Sequence, residues 1–325
     1  MSQHDHYVSQ TYLGLFAGTD GYLIPYYKDG RVVVGKPKRP KSICSEVDGD
    51  MNTYFDDERV LDVFLRPIET NWAENVRALS EGRLDATGKY ELASYIAYLR
   101  ACNPVAKRLG QTALAAMMQP ERDKIIHEHL YHPTPDSPPL DDSTRAKLQR
   151  EFERGGIKTL VDRDYAHARG IASLTGVADR LYCSHWLKLR NDTNLPFITS
   201  DNPAVIYPHG EADSRSSVFV PLSPIDAVLI SPNDELPEPA KVDVQNYMSS
   251  DDQYGLVKRD AIKRFNVLVV KSAERLVLHS TEEKWIGDIV SKYRSWRMES
   301  LCDFLPSGTG VFQIHRQRAV DKAIP

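Results

Sequence analysis

The chain has 325 residues, 41% hydrophobic and 26% charged, which excludes the disordered and collagen-like classes and leaves room for one large domain or two ordinary ones. A formal net charge of -4 excludes a protein that coats nucleic acid by bulk electrostatics, since counterion release needs an excess of Lys and Arg; a nucleic-acid partner would need a local basic groove. No run reaches the ~18 apolar residues that span a bilayer and the first residues lack a basic-then-apolar leader, so the expected compartment is the cytoplasm, with no membrane partner.

Tyr22 to Tyr27, then Lys28-Asp29-Gly30, then Val32 to Val34 predict a β-hairpin turning at Asp29-Gly30. Val60, Leu61, Phe64, Leu65, Ile68, Trp72, Val76 and Leu79 recur at three- and four-residue steps, an amphipathic helix that Pro67 is expected to kink or split. A largely apolar helix follows over Lys89 to Cys102. Asn103-Pro104 then supplies an N-cap and an N1 proline for a third helix toward Met118, with a further helix near Glu121 to Leu130.

Pro133, Pro135, Pro138 and Pro139 make 133–142 a Pro-rich loop between an N-terminal region (1–132) and a C-terminal region (143–325) of one compact unit. Ser143 to Arg154 reads as a polar helix stopped by Gly155-Gly156, followed by a longer one through Leu160, Tyr165, Ile171, Leu174 and Leu181. Beyond Trp186, short strands at 187–189, 197–199, 204–207, 218–220 and 227–230 suggest an antiparallel sheet. A helical stretch over Asp251 to Arg264, strands at Val267 to Val270 and Leu276 to His279, and a helix over Glu282 to Glu299 complete the chain. The fold expected is α+β: an N-terminal β-hairpin, a central helical bundle and a C-terminal antiparallel sheet flanked by helices.

His6-Tyr7-Val8, Tyr12-Leu13, Phe16, the Glu58 to Glu69 helix, Arg100 with Pro104, the run Phe197 to Pro203 (FITSDNP) and Pro221-Leu222-Ser223-Pro224 together resemble the bacterial domain-of-unknown-function family 4238. Ser9 stands where proline is usual in that pattern, and Ala101-Cys102-Asn103 where a more polar run is usual. The resemblance implies an extended N-terminal segment, a helical middle and a β-rich C-terminal part, and no assigned activity.

Among chemistry-bearing residues, Ser200-Asp201-Asn202-Pro203 sits between two predicted strands. It reads either as an Asx-turn locked by proline or as a carboxylate and an amide held at the end of a sheet for binding or catalysis. His4 and His6 share a face of an extended segment, with Asp5 facing away. His127 to His132 fails the HExxH test because residue 131 is Tyr, and neither a Walker A loop nor a GxSxG elbow is present. Cys44, Cys102, Cys183 and Cys302 form no CxxC pair and read as reduced thiols. Glu58, Asp62, Arg66 and Glu69 share one helix, mostly on its solvated face, with Glu69 at the edge of the buried stripe.

Two function classes follow. In the first, a hydrolase acting on a phosphodiester or nucleic acid brings His6, Asp201, Asn202 and Glu69 together as catalytic residues. Arg100, Ser200 and Arg264 then bind substrate, and a carboxylate-held divalent metal is the cofactor such chemistry could use. In the second, the chain is a non-catalytic binding or regulatory module and the SDNP turn is structural. The oligomeric state is not legible in the sequence.

Overall fold

Two periodicities organise the molecule, and the computed structural model, which describes residues 3–30, 33–135, 139–208, 216–233, 253–307 and 310–323, shows where each is satisfied. The first half runs β1 (His4–His6), α1 (Gln10–Gly14), β2 (Ile24–Tyr27), β3 (Ser45–Val47), α2 (Val60–Ser80), α3 (Ala86–Ala101) and α4 (Pro104–Tyr131). Helices α5 (Asp142–Glu153) and α6 (Arg163–Tyr182) lead to strands β4 (His185–Arg190), β5 (Thr199–Ser200), β6 (Val205–Pro208), β7 (Ser216–Pro221) and β8 (Asp226–Ser231). The chain then passes through β9 (Gln253–Leu256), α7 (Arg259–Ser272), β10 (Leu276–His279), α8 (Lys284–Lys292) and a ribbon of β11 (Trp296–Ser307) with β12 (Gly310–Asp321). The architecture is α+β, with an N-terminal strand pair, a helical middle and a largely antiparallel C-terminal sheet.

The main sheet has the order β6-β7-β8-β4-β9, antiparallel except where β9 runs parallel to β4. Because side chains alternate across a strand, its two faces feed two separate cores. Trp186, Val220, Val228 and Ile230 join a core with α1, α2, α3 and α6, while Leu189, Val205, Phe219 and Ala227 join another with α7, α8, β2 and β10. The first core draws residues from Val8 to Leu278, so the two halves of the chain share it.

Local signals were followed where the chain had no competing partner. Asn103 caps α4 through Oδ1, which accepts from the Ala106 N–H at 2.8 Å, and Gly155, at φ +67, ends α5. Several expectations are corrected. Pro67 does not split α2, whose 21 residues run unbroken, and the two helices expected up to Leu130 are one 28-residue α4 with Pro120 inside it. The helix expected through Leu160 begins only at Arg163, and Leu160, in irregular chain before it, is 94% exposed. Val267 to Val270 is helix, because Ile262, Phe265, Val269 and Val270 recur at helical spacing on the buried face of α7. The helix expected to Glu299 stops at Lys292, and Trp296 starts the ribbon.

The expected hairpin is only partly a ladder. The Tyr27 N–H donates to Val33 O at 2.7 Å and Tyr26 bridges Val34, but the regular partner of β2 is β10; residues 31–32 at the tip lie outside the described residues, as do 136–138 of the Pro-rich loop. No helix among the described residues is long and apolar enough to cross a membrane.

Helices α3 and α6 cross at Gly170, where an added Cβ would collide with the backbone carbonyl of Ala101; one added at Gly176 in the same helix meets nothing within 4 Å. Gly170→Ala is therefore expected to lower stability by about 1–3 kcal/mol, and Gly176→Ala to raise it by roughly 0.5–1 kcal/mol, in urea melts.

Candidate functional site

The SDNP run folds into the interior. Asp201 is 3% exposed, and its carboxylate accepts from the backbone N–H groups of Glu274 (2.9 Å), Arg275 (2.7 Å) and Leu276 (3.0 Å). Asn202 accepts from Asn103 Nδ2 through Oδ1 and donates through Nδ2 to Ser272 O, both at 2.9 Å; its own N–H donates to Ser200 Oγ at 3.2 Å. Lys28, 3% exposed, donates to the carbonyls of Val270 (2.8 Å) and Ala273 (2.7 Å) and to that of Trp296. These side chains satisfy the end of α7 and the turn into β10, backbone groups that a helix terminus otherwise leaves orphaned. Burial lowers the Lys28 ammonium to about 8, with Asp201 acting the other way.

The residues expected to converge do so only in part. Ser200, Asp201 and Asn202 do not line the cavity that holds His6 and Glu69. Arg100 lines a small crevice, donating to Ala204 O and Gln317 Oε1 at 3.4 Å, and Arg264, exposed on α7, donates back to Asp260 O. Asp201→Ala leaves three part-buried donors without an acceptor, a loss of about 1–3 kcal/mol in all, and Asp201→Asn offers one acceptor oxygen while turning an NH₂ group toward donors. Chemical denaturation is expected to show a larger loss for Ala and a clear loss for Asn.

His6 and Glu69 meet in an open cavity of about 580 Å³ between β1, α1 and one stripe of α2. Asp62, Arg66 and Glu69 fall at i, i+4 and i+7 on that helix, one face, while Leu61, Ile68 and Trp72 enter the core on the other. The opposite wall is made by β1, paired to β3 with Asp5 across from Glu46, and by the turn after β3. That turn holds Asp48 at φ +51, a left-handed conformation Asp tolerates, and brings the Asp50 N–H to Asp5 Oδ2 at 3.1 Å.

Asp5 and Asp50 are each 5% exposed, and one oxygen from each of Asp5, Asp50 and Asp62 lies within 4.8 Å of the others. Arg59, at the start of α2, donates to Asp5 Oδ1 (3.2 Å), Asp62 Oδ2 (3.5 Å) and Asp48 Oδ1 (2.8 Å). Tyr98 donates to Asp50 Oδ1 at 2.9 Å, and among the described residues Asp50 Oδ2 accepts no hydrogen bond. Glu69, half-buried, has neither a hydrogen-bond nor an ion-pair partner among the described residues, and the Arg66 guanidinium has none either. His6 Nε2 lies 3.2 Å from Lys41 O, and a carbonyl only accepts, so the neutral ring carries its proton there and leaves Nδ1 bare.

The electrostatics follow from this placement. Burial, then Asp50 and Asp62, push the Glu69 carboxyl up to about 7. Burial pushes Asp50 up to about 6, against the Tyr98 hydrogen bond. Burial holds His6 below its ordinary value. Two carboxyls thus titrate near neutrality in a solvent-reached cavity, the kind of displacement found where protons are moved or cations held.

Glu69 and His6 were the legible members. Asp5, Asp50, Arg59 and the cavity role of Asp62 were missed. Strand alternation turned Asp5 away from the histidines, and no motif marks Asp48-Gly49-Asp50.

An α+β fold carrying an open cavity lined by carboxylates, with its hydrophobic cores elsewhere, is the class of protein these features define. The chain belongs to the family of proteins of unknown function DUF4238, whose model matches residues 4–283. No curated protein and no solved structure matches it.

A carboxyl raised in the folded state keeps its proton at pH values where the unfolded chain, titrating near 4.3, has released it. Stability attributable to Glu69 is therefore full below about 4 and falls as pH rises through about 7, and Asp50 adds the same sign up to about 6. Glu69→Gln is expected to flatten the fall in melting temperature between pH 5 and 8 and to be the more stable protein at pH 8.

Proposed function

We propose that the chain is a hydrolase acting on a phosphodiester, working from the cavity between β1 and α2. The observation that carries this reading is Glu69: a half-buried carboxylate facing the cavity, without a partner among the described residues, whose proton affinity burial raises above the ordinary carboxylate range, as a general base requires. Arg66 supplies an uncommitted cation for a phosphoryl oxygen. Water adds to phosphorus as Glu69 takes its proton, the ester P–O bond breaks, and the departing alkoxide takes a proton from solvent. His6 Nδ1 accepts a hydrogen bond from substrate or water.

Asp5, Asp50 and Asp62 would hold a divalent cation. One oxygen from each lies within 4.8 Å of the others, close enough for a single hard cation with oxygen ligands to bridge them. Such an ion would take over the counter-charge that Arg59 now supplies, and it would polarise the phosphoryl group. The four cysteines are free thiols, three of them buried, which supports a reducing cytoplasmic compartment.

A second reading, a non-catalytic binding module, is favoured by Arg59 itself, because a carboxylate cluster already bonded to a guanidinium is a stable structural ion network. One experiment separates them. Bis(4-nitrophenyl) phosphate is incubated with wild type, Glu69→Gln and Asp62→Asn, each with Ca²⁺, Mn²⁺ or Mg²⁺, and melting temperatures are measured alongside. The hydrolase reading expects metal-dependent turnover, a loss of 10²-fold or more on Glu69→Gln with the fold intact, and a metal-induced rise in melting temperature that Asp62→Asn abolishes. No turnover, and no thermal response to any of the ions, would leave the binding module standing.

A further inference from the structure

We infer that the diester this cavity accepts is a small, hydroxyl-rich molecule and not a nucleic-acid strand; the inference rests on the hydrolase reading of the same site. Proteins that follow a single strand use a positive groove along the backbone and aromatic rings for the bases to stack on. A backbone-long track of this kind is not here: the residues lining the cavity include no Phe, Tyr or Trp and no lysine, their rings are the two imidazoles of His4 and His6 on one short strand, and Arg66 is their one guanidinium. The surroundings add negative charge, because the exposed run Asp56-Asp57-Glu58 leads directly into Arg59 and α2. A polyanion would meet repulsion at each phosphate beyond the first, whereas a molecule with one phosphate needs one cation, and Arg66 is uncommitted.

What the lining offers instead is hydrogen bonding of both senses. Gln3, Ser9, Gln10, Thr11 and Thr70 bring amides and hydroxyls to the wall, and the bare Asp50 Oδ2 and Glu69 carboxylate accept from hydroxyl groups. That inventory matches an alcohol-rich substituent, and it is larger than the two imidazole rings offer for stacking. A volume of about 580 Å³ falls within the roughly 300–1,000 Å³ range of pockets that take small molecules, and a duplex about 20 Å across has no such place to enter.

The test compares kcat/KM for glycerophosphocholine and glycerophosphoinositol with that for single-stranded RNA and DNA oligonucleotides, using wild type, Glu69→Gln and Arg66→Gln in the metal that best supports turnover. Expected are Glu69-dependent hydrolysis of the glycerol diesters at least tenfold more efficient than cleavage of any oligonucleotide, and about tenfold higher KM with little change in kcat for Arg66→Gln, whose melting temperature stays at the wild-type value. Glu69-dependent cleavage of oligonucleotides with the glycerol diesters refused would overturn the inference and leave the hydrolase reading in place. Wild type and Glu69→Gln equally inert on every substrate would remove both.

Discussion

The turn from α7 into β10 is the constraint on which the rest of the structure depends. A helix end and a strand start meet there against buried side chains, and their backbone donors and acceptors need partners that neither element supplies. Asp201 takes the N–H groups, Lys28 the carbonyls, and Asn202 ties the same turn to Asn103 at the head of α4. Three distant segments are thereby fastened to one point, and β10 lies between β2 and β5 because its first residues are held there. Removing any one side chain strands polar groups that hydrophobic burial cannot compensate.

A cluster of aromatic side chains connects this clasp with the cavity. Tyr12 donates to Pro221 O at 2.7 Å and lies 2.8 Å from Thr199 Oγ1, two residues before Asp201. Tyr95 packs against Trp72 with ring centroids 4.7 Å apart and planes tilted by 57°, and accepts the Ser9 N–H at 2.7 Å, while Tyr98 reaches Asp50. Each ring supplies apolar body to the core and a polar tip to a backbone or carboxylate at its edge, the usual division of labour in a buried tyrosine. The cavity wall at Ser9 and Asp50 is therefore positioned by the core itself, which gives a loop-built site the rigidity of packed aromatic residues.

What could be read from the sequence was what local chemistry decides. Asn103-Pro104 and Gly155 mark helix ends whatever lies around them, and the apolar stripe of α2 survives Pro67 because packing of Leu65, Ile68 and Trp72 outweighs one missing hydrogen bond. Val267 to Val270 misled because β-branched residues favour strands in isolation, and only the neighbouring Ile262 and Phe265 show the helical period. Asp201 reads either as a local Asx-turn or as a carboxylate held for binding or catalysis, whereas its oxygens accept from N–H groups 73 to 75 residues away. The cavity was half legible for the same reason. Glu69 betrays itself by its place beside a buried stripe, but Asp5 and Asp50 gain meaning only when the β1–β3 pairing brings a turn and a strand together.

Helix α2 carries the cavity on one stripe and the first core on another, and that double duty limits how its gene can change. A single-residue insertion between Asp62 and Glu69 would rotate everything beyond it by about 100°, moving Glu69 off the cavity and presenting Trp72 to solvent at the same stroke. Substitutions along α2 can be absorbed one side chain at a time, but length cannot drift by one. Only changes near a whole number of turns, such as seven residues with their ~20° residual rotation, would keep chemistry and core on their own sides. The helix thus behaves as a ruler whose spacing is protected by its buried face, so that selection for folding alone preserves the register of the cavity residues it carries.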